Sequence, residues 1–198
     1  MMKVLLATKN KHKVKELTHI FENSQLEIVL LNLTDFPEIE EPVEDGHTFI
    51  ENAIIKAKYY YAHFGIPVIS DDSGIVVDAL DGAPGIYSAR YASVNQANAS
   101  SADNRKKLLA EMEGITQRNA HFECAMVYYD GTTCFTSTGK TEGLILEKEV
   151  GHNGFGYDTL FYASEYEKPM GLLSEDEKNQ ISHRGKASRA LIQQLMMK

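Results

Sequence analysis

Asp71 and Asp72 follow the apolar run Ile66-Pro67-Val68-Ile69-Ser70 and precede Ser73-Gly74, an order that aims two carboxylates out of a strand end. Open α/β sheets bind ligands beyond the carboxyl ends of their strands, where adjacent acids can hold a hard cation and activate a water. The same residues also suit a capped turn, with either aspartate accepting from nearby backbone amides and the glycine making the bend. Other segments must separate the two readings.

Thr8-Lys9-Asn10-Lys11-His12-Lys13 brings a hydroxyl, an amide and several cationic groups to the start of a helix, where free backbone amides also point outward. That combination suits a phosphate. It lacks the glycines and the Lys-Ser/Thr pair of a P-loop, and a solvated, lysine-rich first turn is the alternative. Ser182-His183-Arg184 at another helix start offers several donors, with an arginine fork able to grip a planar carbonyl edge, or it is an N-cap followed by two surface side chains. In Phe155-Gly156-Tyr157-Asp158 the glycine lets an aromatic ring approach a base face, unless the rings pack beneath an irregular loop. Lys56 and Arg90 add positive charge. No spacing of serine, histidine and acid fixes a hydrolytic triad.

The elements that must position these residues follow from periodicity. Residues 4–7 form a buried strand, and Val14, Leu17 and Phe21 recur at helical spacing, so residues 8–13 are a βα turn. Residues 28–31 return as a strand. An acidic loop, 38–45, leads to Thr48-Phe49-Ile50-Glu51, a capping box opening a helix to about His63. A strand, the Asp71-Asp72 turn and a second apolar run, 75–80, come next. Ser101 caps a helix stopping at Gly114, and alternation at Phe122, Cys124, Met126 and Tyr128 then leads to a hairpin turn at Asp130-Gly131. A glycine-dense loop, 151–158, precedes a short strand. Ser174 and Glu177 form a second capping box before a helix carrying Lys178, and the last helix has Ala187, Leu191 and Leu195 on its apolar stripe. The sheet is therefore expected to be mixed, within a single domain spanning 1–198 and having two lobes around a cleft.

A chain of 198 residues is long enough for one well-buried core. Its net charge of -8 argues against a protein held to nucleic acid by its overall field, and a small anionic ligand fits better. Cys124 and Cys134 flank the hairpin turn in a register that does not favour a disulfide and lack the spacing of a metal motif. Two unpaired thiols suit the cytoplasm. The apolar segment near the start is too short for a signal peptide or a membrane span, so no membrane partner is expected.

Ala7-Thr8-Lys9-Asn10 with Lys13, Thr48-Phe49-Ile50-Glu51-Asn52-Ala53, Ser70-Asp71-Asp72-Ser73-Gly74, the run from Gly82-Ala83-Pro84-Gly85 to Ser88-Ala89-Arg90-Tyr91, Gly154-Phe155-Gly156-Tyr157-Asp158 and Ser182-His183-Arg184 occur in that order. Together they resemble the inosine triphosphate pyrophosphatase family over nearly the whole chain. The resemblance implies a three-layer α/β/α fold with a mixed central sheet and two lobes around a nucleotide cleft. It further implies a magnesium-dependent homodimer that cleaves ITP, dITP and XTP to monophosphate and pyrophosphate. In that family's terms Asp72 is general base and metal ligand, Ser73 contacts substrate, and Asp71 lies beside the metal. Thr8, Lys9, Asn10, Lys11, His12, Lys13, Lys56, Arg90 and Lys178 contact phosphate or nucleotide. Phe155, Gly156, Tyr157 and Asp158 form the nucleoside loop, and His183 and Arg184 read the base. Glu44, or Glu41 beside it, supplies a second carboxylate to the metal. Lys9 stands where many members have glycine. A phosphoribosyltransferase is disfavoured because Ser73-Gly74 follows the acids too closely for that family's longer loop; a nucleotide sensor without turnover is a second alternative, and a septum-associated nucleotide pyrophosphatase, which would prefer pyrimidine triphosphates, is a third whose first-loop signature differs from Ala7-Thr8-Lys9-Asn10.

Overall fold

The computed structural model describes residues 2–94 and 97–198. Strands β1 (Met2–Leu6), β2 (Ile28–Asn32), β3 (Val68–Val77), β4 (Asn119–Tyr129), β5 (Cys134–Ile145), β6 (Phe161–Ala163) and β7 (Lys168–Pro169) form a seven-stranded sheet in the order β2-β1-β3-β4-β5-β6-β7. The helices are α1 (Lys11–Glu22), α2 (Phe49–Phe64), α3 (Ser101–Glu111), α4 (Glu175–Ile181) and α5 (His183–Met196). β1 is parallel to β2 and β3, whereas β6 is antiparallel to β5 and β7, so the sheet is mixed and the fold α/β, as expected. Among the described residues, no helix is long and apolar enough to cross a membrane.

Two compact units are present. The first takes Met1–Asp72, Cys124–Gly139 and Arg184–Lys198, and the second Ser73–Glu123 and Lys140–His183. In the first unit, alternation along β1 divides its side chains between two cores. Val4 and Leu6 pack with Leu17 and Phe21 of α1 and with Ala187 and Leu191 of α5. Leu5 and Ala7 pack with Ala53, Ala57 and Tyr60 of α2. A strand covered on both faces reads as an unbroken apolar run, which explains the Val4-Leu5-Leu6-Ala7 sequence. α2 begins where Thr48 Oγ1 accepts from Glu51 N at 3.2 Å, but Glu51 Oε2 accepts from His47 N at 2.7 Å, one residue before the partner of a full capping box. It ends at Gly65, whose φ of 65° is left-handed.

The second unit has its own core, with Ile75 and Val77 of β3, Leu108 and Met112, Phe122, and Leu160 and Phe161. Ser100, not Ser101, caps α3, its Oγ accepting from Asp103 N at 3.1 Å. The Ser174–Glu177 box forms in full, with bonds of 2.8 and 3.2 Å.

The expected Asp71-Asp72 turn is absent. β3 runs without interruption from Val68 to Val77, and the second apolar run is divided between that strand and a short 3₁₀ turn, Asp78–Leu80. Gly74 has a different task from bending the chain. A Cβ there would lie 2.3 Å from Ser88 Oγ and 2.4 Å from Gly85 O, so its bare Cα lets the 3₁₀ segment Gly85–Arg90 lie against the strand. Ser88 Oγ exploits this approach, accepting from Ile75 N at 3.0 Å and donating to Gly85 O at 2.6 Å. The β4–β5 hairpin also turns one residue later than expected. Asp130 N donates to Thr133 O at 3.2 Å, placing Gly131 and Thr132 at the tip, because the Asp130 carboxylate accepts from the backbone of Thr132 and Thr133. Both cysteines are free, Cys124 buried and Cys134 exposed.

Gly74→Ala is expected to cost about 2 kcal/mol in urea unfolding, because the obstacles include a backbone carbonyl. An unchanged midpoint would show that Ser88 and the 3₁₀ segment yield without cost.

Candidate active site

In the first unit the centre is Asp71, whose side chain is wholly buried between two cations. Lys13 Nζ lies 2.9 Å and Arg184 Nε 3.3 Å from Asp71 Oδ2. Arg184, only 2% exposed, also places Nη1 2.7 Å from Glu16 Oε2. Lys13 and Glu16 share a face of α1 at a three-residue spacing. That helix is started by Asn10, whose Oδ1 accepts from His12 N at 2.9 Å and Lys13 N at 3.3 Å, while Thr8 Oγ1 accepts from Asn10 N at 3.2 Å. Burial by itself pushes the Asp71 carboxyl up, but Lys13, Arg184 and Lys56 outweigh it and hold the group well below its ordinary range. Burial likewise disfavours charge on Arg184, and Asp71 and Glu16 reverse that, raising it.

Asp72 is the next residue on the same strand and so projects to the opposite face. Asn52 Nδ2 donates to its Oδ2 at 3.2 Å, and Asn52 Oδ1 in turn accepts from Gly46 N at 2.9 Å, which fixes the amide's orientation. Lys56 Nζ donates to Asp71 O at 3.0 Å and lies 3.2 Å from Glu44 Oε2. Burial raises the affinity of Asp72 for a proton, Glu44 adds to it, and Lys56, Lys13 and the Asn52 bond only partly oppose it. Burial would lower Lys56, but Glu44, Asp72 and Asp71 together raise it. Two neighbouring aspartates are thus driven apart. Asp71 is a fixed anion, whereas Asp72 is closer to exchanging a proton, which is the property required of a general base.

The remaining basic residues of the first turn do less in this arrangement. Lys9 lies 3.3 Å from Glu41 and 3.7 Å from Glu38, an exposed set, and Lys11 and His12 are exposed. Of the two acidic-loop candidates, Glu44 adjoins Lys56 and acts on Asp72, while Glu41 is paired with Lys9.

In the second unit, Lys178 Nζ lies 2.7 Å from Asp158 Oδ2 and 4.4 Å from the centroid of the Phe155 ring. The same Asp158 oxygen accepts from Phe155 N at 2.8 Å. Gly154, at φ +79°, permits this closure, since a Cβ would sit 2.1 Å from that oxygen. Tyr157 OH donates to Ser88 O at 2.8 Å. The His183 ring stacks on Phe122 with centroids 4.8 Å apart and planes at 11°. Arg90 lies over Tyr87, 5.1 Å from its centroid, and Ser73 continues β3 beyond Asp72.

Sequence reasoning placed Asn52 in a family motif without giving it a role, and left out Glu16 and Arg105. Asn52 carried a signal, for it is a polar residue on the buried side of α2 beside Ala53. Glu16 stands three residues beyond Lys13, but nothing in the sequence shows that Arg184 closes on it. Arg105, in a run of charged residues on α3, carried none.

Fold and charge cluster define an α/β protein built around a pair of aspartates in opposite environments. The Ham1 family model matches residues 4–194, and the chain belongs to that family. A dITP/XTP pyrophosphatase of Bacillus anthracis is 46% identical over 196 residues, covering 96% of this chain and 95% of that one. One from Listeria monocytogenes is 44% identical, covering 99% and 96%. Among solved structures, a Ham1 protein of Coxiella burnetii superposes with a TM-score of 0.87 at 36% identity over 100% of both chains. That of Staphylococcus aureus gives 0.85 at 36% identity over 98% of each.

Asp71→Asn leaves Lys13 and Arg184 without their shared anion and is expected to cost about 3 kcal/mol at neutral pH. The folded carboxyl is depressed below its ordinary 3.8, so its contribution is complete above that pH and is lost as the pH falls beneath it. Denaturant unfolding of both proteins across pH should show a constant gap at neutrality that narrows only in that acidic range. A gap that closes well above it would mean that Asp71 is not held as an anion.

Proposed function

We propose that this protein hydrolyses non-standard purine nucleoside triphosphates, XTP, dITP and ITP, to the monophosphate and pyrophosphate, and so clears them from the nucleotide pool. The observation that carries the reading is the placement of Asp71 and Asp72 as consecutive residues of β3, with Lys13 2.9 Å from the Asp71 carboxylate, Lys56 bonded to the Asp71 carbonyl at 3.0 Å and Asn52 bonded to the Asp72 carboxylate at 3.2 Å. The names of the similar pyrophosphatases support the substrate class.

In this reading Asp72 takes a proton from a water that attacks the α-phosphorus, and pyrophosphate departs in line. Lys13 and Lys56, both near the aspartates, spread positive charge toward the phosphates, with Thr8, Asn10, Lys9, Lys11 and His12 at the first turn and Arg90 as further contacts. Magnesium suits the donor chemistry. Asp72 and Glu44 offer hard oxygen atoms, with Glu41 the alternative, and among the described residues no group of three or more His, Cys, Asp or Glu forms a ready metal site. Asp72 and Glu44 would hold such an ion, which would supply charge neutralisation on the triphosphate.

The nucleoside is assigned to Ser73, Phe155, Gly156, Tyr157, Asp158 and Lys178, with the ring of Phe155 as the stacking surface. His183 and Arg184 donate to the carbonyl at the purine 6-position, where adenine carries an amino group. Arg184 enters that role with Nε and Nη1 already held by Asp71 and Glu16, which fixes the plane of its guanidinium. A donor facing the adenine amino group would be left buried and unpaired, which is a strong basis for rejection. The two free thiols support a cytoplasmic location, and the family resemblance supports a homodimer.

Product analysis with magnesium and, separately, XTP, dITP, ITP, GTP, ATP and dTTP tests the proposal. Monophosphate and pyrophosphate are expected mainly from the first three; tight binding without product would leave a nucleotide sensor instead. Asp72→Asn should lower kcat by about 100-fold or more with the melting temperature preserved. Near-normal turnover in the folded variant would remove Asp72 from the role of base.

A further inference from the structure

Arg105 has no part in the chemistry just described, yet it is built into the glycine loop. From α3 its Nη1 donates to Gly156 O at 2.9 Å, and its Nε lies 3.1 Å from Glu149 Oε2. The same Glu149 oxygen accepts from Thr159 Oγ1 at 2.9 Å. Glu149 enters the loop and Thr159 leaves it, and the two stems are joined where Val150 N donates to Thr159 O at 2.8 Å. One guanidinium therefore meets the loop at Gly156 and, through Glu149, both of its stems. The Arg105 side chain is 18% exposed and Glu149 is 44% exposed, so the pair meets solvent on its Glu149 side, and the bond to Gly156 O is the more sheltered half of the grip. Burial favours protonation of Glu149, but the charge of the Arg105 guanidinium and the bond from the Thr159 hydroxyl outweigh it and hold the carboxyl below its ordinary value.

The element carrying Arg105 is itself anchored. The preceding residue, Asn104, donates to Ala89 O at 3.1 Å and accepts from Ala92 N at 2.8 Å. Gly156 has φ +62°, and a glycine peptide with so few steric limits needs an external partner to keep its carbonyl in one direction. Arg105 is that partner, and the carbonyl it holds lies between Phe155 and Tyr157 in the chain.

We propose that Arg105 and Glu149 are positioning residues that set the pose of the loop 155–158, and hence the affinity for the purine base, without touching the substrate. This rests on the reading above that the loop contacts the nucleoside. The fork geometry matters, because lysine can pair with Glu149 but cannot reach it and the Gly156 carbonyl through separate, fixed nitrogens.

Steady-state kinetics with XTP and ligand-free amide hydrogen exchange test the proposal on Arg105→Ala, Arg105→Lys and Glu149→Gln. Arg105→Ala should raise KM about tenfold with kcat within about twofold, and speed exchange in residues 151–160 while the rest of the chain is unchanged. Arg105→Lys and Glu149→Gln should fall between it and the wild type. An unchanged KM, unchanged loop exchange, or a uniform rise in exchange across the chain would overturn the proposal. Should Arg105→Ala fail to fold, Glu149→Gln carries the same decision. Wild-type protein that cleaves no purine triphosphate would overturn the functional reading, whereas the exchange data alone decide whether Arg105 holds the loop.

Discussion

A carboxylate with no exposure at all, in the middle of a sheet, can persist as an anion only where cations are delivered to it. At Asp71 they come from α1 through Lys13 and from α5 through Arg184. The desolvation cost of such a cluster is large, and its members gain little net stability over an apolar packing of the same volume. Its consequence is specificity of arrangement. Lys13 is where it is because Asn10 starts the helix, and Arg184 is where it is because α5 begins one residue earlier. With both cations committed to one face of β3, the neighbouring Asp72 is left to the other face, with Asn52 as its bonded partner and Glu44 raising its proton affinity. A lowered and a raised proton affinity thereby fall on consecutive residues.

The second unit repeats the device in a loop. Asp158 and Lys178 form a buried pair, and the same carboxylate oxygen ties down the amide of Phe155, so a ring and an ammonium are set in a fixed relation by one acid. Gly154 makes room for the closure. Arg105 and Glu149 brace the same loop from α3 and the entering stem. Each unit thus uses a buried acid to orient groups whose chemistry lies elsewhere, and Gly74 permits the close approach that brings Ser88 against β3 and, through its carbonyl, against Tyr157.

The helices and the mixed character of the sheet were legible because their signals are local. Thr48, Ser174 and the stripe of Ala187, Leu191 and Leu195 are written in short spacings, and the joint order of the motifs carried the family. The turn at Asp71-Asp72 was misread for a physical reason. Acids and a glycine together are the usual signature of a bend, whereas here the acids are neutralised from helices distant in sequence and the glycine answers a close approach by Gly85 and Ser88. No local pattern contains that information. Arg184 was legible as a donor, but not as a residue held by Glu16 and Asp71, and Arg105 was not legible at all, since a charge on a helix face gives no indication of which carbonyl it meets. Asn52 was the exception, placed in a motif yet given no role, although a buried amide beside Ala53 calls for a polar partner.

The division between Asp71 and Asp72 is tested most directly by following the side-chain carboxyl carbon resonances of both residues in aspartate-labelled protein, free of metal and nucleotide, as the pH is lowered. The account predicts that Asp72 takes up its proton above the ordinary aspartate value of 3.8 while Asp71 remains ionised well below it. Titration of the two together, or of Asp71 first, would contradict it.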